Sequence, residues 1–170
     1  MALGDGFASS EQYEAAEKRR RERAELVMKA RAVEAMRASD EREWEDVDGT
    51  VWRYVVLDGA DVRIAGCESP AAQLVIPGSI EGKPVIALGD DACAFLDNVE
   101  SVDMPDSVIT VGYSAFRECR VLKRVRFSRN LASYDSNWFR GSLNLEDVVL
   151  PGRLEKLEAS IFDSPRLKRL

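Results

Sequence analysis

The sequence predicts an α+β solenoid, in which tandem repeats of about 23 residues follow a β-hairpin and a long N-terminal α-helix. Three observations predict this fold. Residues 10–46 contain neither Gly nor Pro, residues 51–64 have the composition of two paired strands, and apolar side chains recur at a fixed interval from residue 85 onward. A fixed interval of this size is typical of repeat proteins, in which each unit packs only on its neighbours.

Length, composition and charge indicate which classes of protein the chain can belong to. The chain has 170 residues, is 45% hydrophobic and carries a net charge of -6, which fits a globular domain with an appendage. The acidic balance argues against a general affinity for nucleic acid. No run of about 18 apolar residues occurs, so we expect no membrane insertion. Residues 1–10 lack the features of a signal peptide, so we expect a cytoplasmic protein, or a cell-surface or secreted one if a leader has been removed.

Residues 10–46 are expected to form one charged helix, and residues 1–46 a separate N-terminal domain. Ala, Glu and Arg dominate the segment, and these residues favour helices. The basic run at residues 18–23 is interleaved with Glu, which favours a solvated helix over a nucleic-acid patch. Because the apolar stripe is interrupted, the helix should either dock on the next domain or pair with a second copy. We predict docking on the hairpin, with Trp44 and Val47 as the joint near Trp52.

The second domain, residues 47–170, should open with a hairpin cap at residues 47–73. Residues 51–57 and 62–64 are rich in β-branched and aromatic side chains. The dipeptide Asp58-Gly59 between them is typical of a tight hairpin turn.

Residues 74–170 are predicted to be four repeats, because steps of 23 residues return the same class of side chain. Seven apolar columns result: Val85, Val108, Leu131 and Leu154; Leu88, Val111, Tyr134 and Leu157; Ala92, Ala115, Trp138 and Ile161; Cys93, Phe116, Phe139 and Phe162; Val99, Leu122 and Leu145; Val102, Val125 and Val148; Met104, Phe127 and Leu150. After Phe162 the step shortens from 23 to 22 residues, which places Leu167 in the column of Leu145 and Leu170 in the column of Val148. The first unit carries five extra residues within 78–84. The period falls in the range of about 20–29 residues of leucine-rich repeats.

Three stretches carry a more specific motif: IPGSIEGKPVIALGDDAC, MPDSVITVGYSAFRECRVLKRV and LPGRLEKLEASIF. They resemble the BspA-like class of bacterial leucine-rich repeats, whose units run roughly IPxSVxxIGxxAFxxCxxLxxV. The resemblance covers residues 52–170. It implies a right-handed solenoid with strands on a concave face, a second short strand in each unit, and a role in recognition, often at bacterial surfaces. In the third unit Ser128, Tyr134-Asp135 and Trp138 depart from the motif, which implies a local bulge.

No cofactor or metal is expected. The three cysteines, Cys67, Cys93 and Cys119, are an odd number without any C-x-x-C pair, and the chain has no histidine, so we expect reduced, buried thiols rather than a zinc site. The acidic stretch at residues 89–91 is interpreted as a turn, because its side chains do not recur in the next repeats.

Candidate binding residues lie on the predicted concave face. In a strand, successive side chains point to opposite faces, so the residues between buried columns should be exposed. Two ladders follow, one through Ser101, Arg124, Asp147 and Arg169, and one through Asp103, Arg126 and Val149 with Val75 before it. The charges either form a polar binding stripe or merely neutralise each other across neighbouring strands.

These patterns favour a non-catalytic module that binds a protein partner of unknown identity through its concave face. The alternative is a structural spacer that holds another domain of a longer protein, and an enzyme is the remote alternative. Because no polar cap follows Leu170, we expect the array to be truncated there. We also expect this exposed end to form a symmetric homodimer.

Overall fold

The computed structural model describes residues 10–33, 35–68, 70–134, 136–151 and 164–168. One helix precedes eleven strands in this part of the chain. They are α1 (Ser10–Val33), β1 (Arg42–Glu45), β2 (Val51–Leu57), β3 (Asp61–Glu68), β4 (Gln73–Val75), β5 (Ser79–Ile80), β6 (Lys83–Leu88), β7 (Ser101–Asp103), β8 (Thr110–Val111), β9 (Arg124–Arg126), β10 (Ser133–Tyr134) and β11 (Asp147–Val149).

The strands form two sheets, which are the two sides of a solenoid. The mixed sheet has the order β1-β2-β3-β6-β8-β10, with β5 paired to β6, and the parallel sheet has the order β11-β9-β7-β4. Residues 23 positions apart pair directly, as Thr110 does with Ser133 and Val102 with Val125. The predicted repeat solenoid is therefore confirmed.

One core fills the space between the two sheets. The columns that begin at Val85, Cys93, Val99 and Val102 are buried through the first three units, and Leu167 packs half-buried against them. Column members in the fourth unit lie outside the described residues; they are Leu154, Leu157, Ile161, Phe162 and Leu170. The homodimer expected at this end therefore stays a prediction.

In its described residues, the third unit shows no bulge where its sequence departs from the motif. β10 pairs with β8 without a register shift, and the Trp138 ring lies fully buried, stacked on Phe127 with 4.7 Å between ring centroids. The bulge predicted from Ser128, Tyr134 and Trp138 is wrong in the described residues, because the large ring is accommodated inside the core. Asp135 lies outside the described residues.

The predicted helix is too long at its C-terminal end. α1 ends at Val33, and residues 42–45, expected to be helical, form β1 in antiparallel pairing with β2. Trp44 lies opposite Trp52 and packs against the core, so pairing and burial override the local helix propensity. Val47 is fully exposed, and its predicted place in the joint is wrong. The turn between β1 and β2 is stabilised instead by Asp46, whose carboxylate accepts a hydrogen bond from Trp52 Nε1 at 2.8 Å.

The hairpin of β2 and β3 is confirmed. Leu57 pairs with Asp61 across the turn, and both Asp58 and Gly59 have positive φ, at 46° and 77°. This is the backbone geometry that the Asp-Gly dipeptide favours in hairpins.

The five extra residues of the first unit add a small hairpin at the N-terminal end of the core. β5 pairs with the start of β6, and Ile80 is completely buried. The Glu81 carboxylate lies 4.0 Å from Arg42 of β1. Burial is the main cause that raises the pKa of Tyr54, and a hydrogen bond with Glu81 raises this pKa further. The insertion therefore adds Ile80 to the core at the end of the array where β4 has no preceding strand in the parallel sheet.

α1 packs across the outer face of the mixed sheet rather than on its N-terminal edge. Ala30 and Val33 are buried in a second apolar cluster with Val55, Leu57, Ile86, Ala87 and Ile109, flanked by half-buried Leu26, Met36 and Ala132. Lys29 Nζ also lies 3.8 Å from the Asp61 carboxylate. The helix thus contacts the hairpin, as predicted, and the first repeats as well. Residues 11–22 of α1 are exposed.

Asparagine side chains tie neighbouring repeats together. Asn98 Nδ2 donates to the Pro70 carbonyl at 2.5 Å, and Asn144 Nδ2 donates to the Arg120 carbonyl at 2.6 Å. Val121 occupies the equivalent position of the middle unit and is exposed. We expect Val121→Asn to raise the free energy of unfolding by about 1 kcal/mol, because the new amide can donate to the Asp97 carbonyl. Urea unfolding measures the change. Val121→Asp, which cannot donate, is the matched control, and equal effects of both substitutions would contradict the hydrogen bond.

The three thiols differ in accessibility. Cys93 and Cys119 are buried, whereas Cys67 is half-buried. A hydrogen bond with Cys67, together with burial, raises the pKa of Cys93 well above its usual value, and burial raises the pKa of Cys119 to about 11. Because the thiolate is the reactive form, we expect a thiol reagent at pH 8 to label Cys67 first and the other two only on unfolding. Mass spectrometry of native samples counts the labels, and prompt labelling of Cys93 contradicts its place in the core.

Candidate functional site

The exposed face of the parallel sheet carries the two predicted ladders. The pairing registers align Gln73, Ser101, Arg124 and Asp147 in one row, and Val75, Asp103, Arg126 and Val149 in the other. We call these eight residues the ladder surface. Gln73 was not predicted, and Arg169 lies outside the described residues. The alignment of the ladders is confirmed for the described residues, whereas their role in binding stays a prediction.

The ladder surface is rigidly supported from below. Between its two rows runs a third, which points inward and consists of Leu74, Val102, Val125 and Val148, all of them buried. Alternation along each strand therefore fixes the outward direction of the flanking side chains. Side chains on such a scaffold are well suited to recognition, because binding a partner costs little conformational entropy when the backbone is already fixed.

Opposite charges on neighbouring strands pair across the ladder surface. Arg126 Nη2 contacts the Asp103 carboxylate, and Arg124 Nε lies 3.4 Å from Asp147 Oδ2. These side chains remain about half exposed or more, except for Asp147. Such pairs contribute about 0–1 kcal/mol each to stability. They orient the arginines without removing them from solvent.

A further charged row lies beside the ladder surface, and the alternation rule missed it because it precedes each strand by one residue. Its members are Glu100, Lys123, Glu146 and Lys168. Lys123 Nζ donates to Glu100 at 3.0 Å and Lys168 Nζ to Glu146 at 2.8 Å. The hydrogen bond with Lys168 lowers the pKa of Glu146. The signal was present in the sequence as a Glu-Lys-Glu-Lys alternation at the repeat spacing.

The sign of charge thus alternates from one repeat to the next. β7 and the residue before it carry acids, β9 and the residue before it carry bases, and β11 and the residue before it carry acids again. The same pairing of an acid after β7 with a base after β9 occurs at the other end of these strands. Arg129 Nε donates to the Asp106 carboxylate at 2.8 Å, and this hydrogen bond lowers the pKa of Asp106. The charged row and the first ladder line a shallow groove of about 620 Å³.

Comparison with known proteins identifies the repeat type. Residues 86–170 match the family described as BspA type leucine rich repeat region, in six copies. The chain belongs to this family. The resemblance seen in the sequence is therefore confirmed. No curated protein matches the chain.

Among the solved structures that match, two leucine-rich repeat proteins share the fold of this chain. A leucine-rich repeat protein from Bacteroides capillosus has a TM-score of 0.62 at 24% sequence identity, with 68% of this chain and 89% of that one covered. A leucine-rich repeat protein of T. pallidum has a TM-score of 0.55 at 22% identity, with 67% of this chain and 49% of that one covered. At these identities the likeness concerns the fold alone.

In the part of the chain that the structure describes, the acidic side chains of the first turn link neighbouring units. Asp90 Oδ1 accepts a hydrogen bond from the Tyr113 amide at 2.8 Å, and Asp91 Oδ1 accepts one from Arg117 Nε at 3.0 Å. Both carboxylates thus link neighbouring repeats. Within the described ranges, no group of three or more Cys, Asp or Glu side chains is placed to hold a metal ion. No helix there is long and apolar enough to cross a membrane.

Proposed function

We propose that the chain is a non-catalytic protein-binding module that recognises its partner through the ladder surface. One observation carries the proposal: a continuous exposed sheet face presents both charged side chains and two exposed valines, Val75 and Val149. Mixed polar and apolar character on a rigid support is typical of surfaces that bind other proteins. Repeat arrays commonly use such extended faces for recognition.

Site-specific photo-crosslinking tests the proposal. A photoreactive residue replaces Val75 or Val149 on the ladder surface, and Val47 or Leu143 as controls, because all four are exposed. In host and bacterial lysates we expect one discrete adduct from both ladder positions and none from the controls. Introducing Arg124→Glu and Arg126→Glu together should lower its yield. Equal adducts from all four positions, or none from any, contradict the proposal.

The alternative is a structural spacer that holds another domain of a longer protein. The cross-strand ion pairs favour it, because a face whose charges satisfy each other needs no partner. A spacer predicts no specific adduct from either ladder position. The same crosslinking experiment therefore separates the two functions.

A further inference from the structure

We propose that the segment recognised by the ladder surface is an extended acidic peptide stretch, with carboxylates at every second residue, lying along β9. This inference rests on the proposed function and names the chemistry of its partner. It is drawn from the placement of charge on β9 and on the two strands beside it.

β9 presents a single line of positive charge. Arg124 and Arg126 are two residues apart and point to the same face, with Lys123 before them and Arg129 after them. Side chains two residues apart on one strand lie about 6.8 Å apart, and the same spacing separates alternate side chains of an extended peptide. A peptide parallel to β9 can therefore place one carboxylate above each guanidinium.

The guanidinium groups are oriented but retain donors for a ligand. Arg124 is held by Asp147 on one side and Arg126 by Asp103 on the other, and their side chains keep 68% and 46% of their exposure. A guanidinium has five N–H donors, so a single acidic neighbour does not exhaust them. Exposed ion pairs are weak, so a partner carboxylate competes with them at little cost. Bidentate contact between a guanidinium and a carboxylate then supplies affinity and direction.

Acidic residues on the strands beside β9 favour a partner no wider than a single extended chain. Glu100 and Asp103 lie on the β7 side, and Glu146 and Asp147 on the β11 side. Neighbouring strands are only about 4.8 Å apart, so a broad anionic surface above β9 would also face these acids. A polynucleotide or an acidic membrane is therefore disfavoured, whereas one extended chain follows the basic line.

Peptide binding to the full chain tests the inference. Fluorescence anisotropy compares a labelled ten-residue peptide that alternates Glu and Thr with a permuted peptide that groups its Glu residues at one end, and with an alternating Lys-Thr peptide. We expect the alternating Glu peptide to bind at least about tenfold more tightly than either, with affinity falling as salt rises. Equal binding of the three peptides, or equally tight binding of single-stranded DNA, overturns the inference.

Charge variants locate the site. Arg124→Glu with Arg126→Glu should weaken binding of the alternating Glu peptide by about tenfold or more. The matched control is Arg120→Glu with Arg140→Glu, which makes the same change in net charge at two exposed positions outside the strands. Equal losses in both double variants contradict the placement on β9. The neutral pair Arg124→Gln with Arg126→Gln provides the same test if the reversed charges impair folding.

The two proposals can fail separately. If the ladder positions crosslink to a partner but the alternating Glu peptide does not bind, the acidic-segment inference is wrong and the binding function stands. If neither crosslinking nor peptide binding occurs, both are wrong.

Discussion

Replacing Phe116 with Ala is expected to lower the free energy of unfolding by about 3–5 kcal/mol. Phe116 is completely buried, stacks on Phe139 with 5.6 Å between ring centroids, and meets Phe127 edge-on at 6.2 Å. These rings come from neighbouring repeats, so the cavity left by alanine lies between units. Each unit is fixed by its own strand pairing and cannot move inward to fill the space.

Urea unfolding measures this loss, and Phe95→Ala is the matched control. Phe95 is 56% exposed and contacts Arg117 at 4.6 Å from the ring centroid, so its truncation should cost about 1 kcal/mol or less. If the two alanine variants lose similar stability, Phe116 does not have the central place in the core that the structure assigns to it.

Replacing Val33 with Asp is expected to detach α1 from the mixed sheet and to lower the free energy of unfolding by about 3 kcal/mol. Val33 is 3% exposed and lies in the cluster with Leu57 and Ile109. A carboxylate there has no basic partner within this apolar cluster. Undocking the helix is therefore the less costly response to the buried charge.

Hydrogen exchange distinguishes undocking from global unfolding. We expect the Val33→Asp chain to lose amide protection along α1 while β7 and β9 keep theirs. Ala24→Asp, at an exposed position of the same helix, should leave protection of α1 almost unchanged. Unaltered protection of α1 in the Val33→Asp variant would show that the helix is not held by this cluster.

The sequence predicts the interior of the array well because the same physical requirement recurs in each unit. An inward position such as Val102 must be apolar in every repeat, so the 23-residue spacing reveals the buried columns and, by alternation, the outward ladders. The ion pairs within the ladders can also be predicted from the sequence, because the strand register determines which charged residues become neighbours. The binding function of those charges does not follow, because cross-strand ion pairs and recognition residues look alike in the sequence.

Features that depend on distant contacts were not predicted in full. The segment of β1 has strong local helix propensity, and only the meeting of Trp44 with Trp52 decides for a strand. Ile86 and Ile109 are apolar at outward positions of the mixed sheet, which signals that something covers them, but α1 has too weak an apolar stripe to be recognised as the cover. The place of the helix became clear only with the tertiary structure.

The position of α1 has a consequence for how the protein unfolds. A repeat array held only by nearest-neighbour contacts can lose units one at a time from its ends. Here the cluster beneath α1 joins β2 of the hairpin with β6 of the first unit and Ile109 of the next. Separating the hairpin from the first unit therefore also requires α1 to give up its contacts on one side of this cluster. Fraying from the N-terminal end becomes a concerted event, and the energetic barrier to it grows with the number of units that the helix contacts.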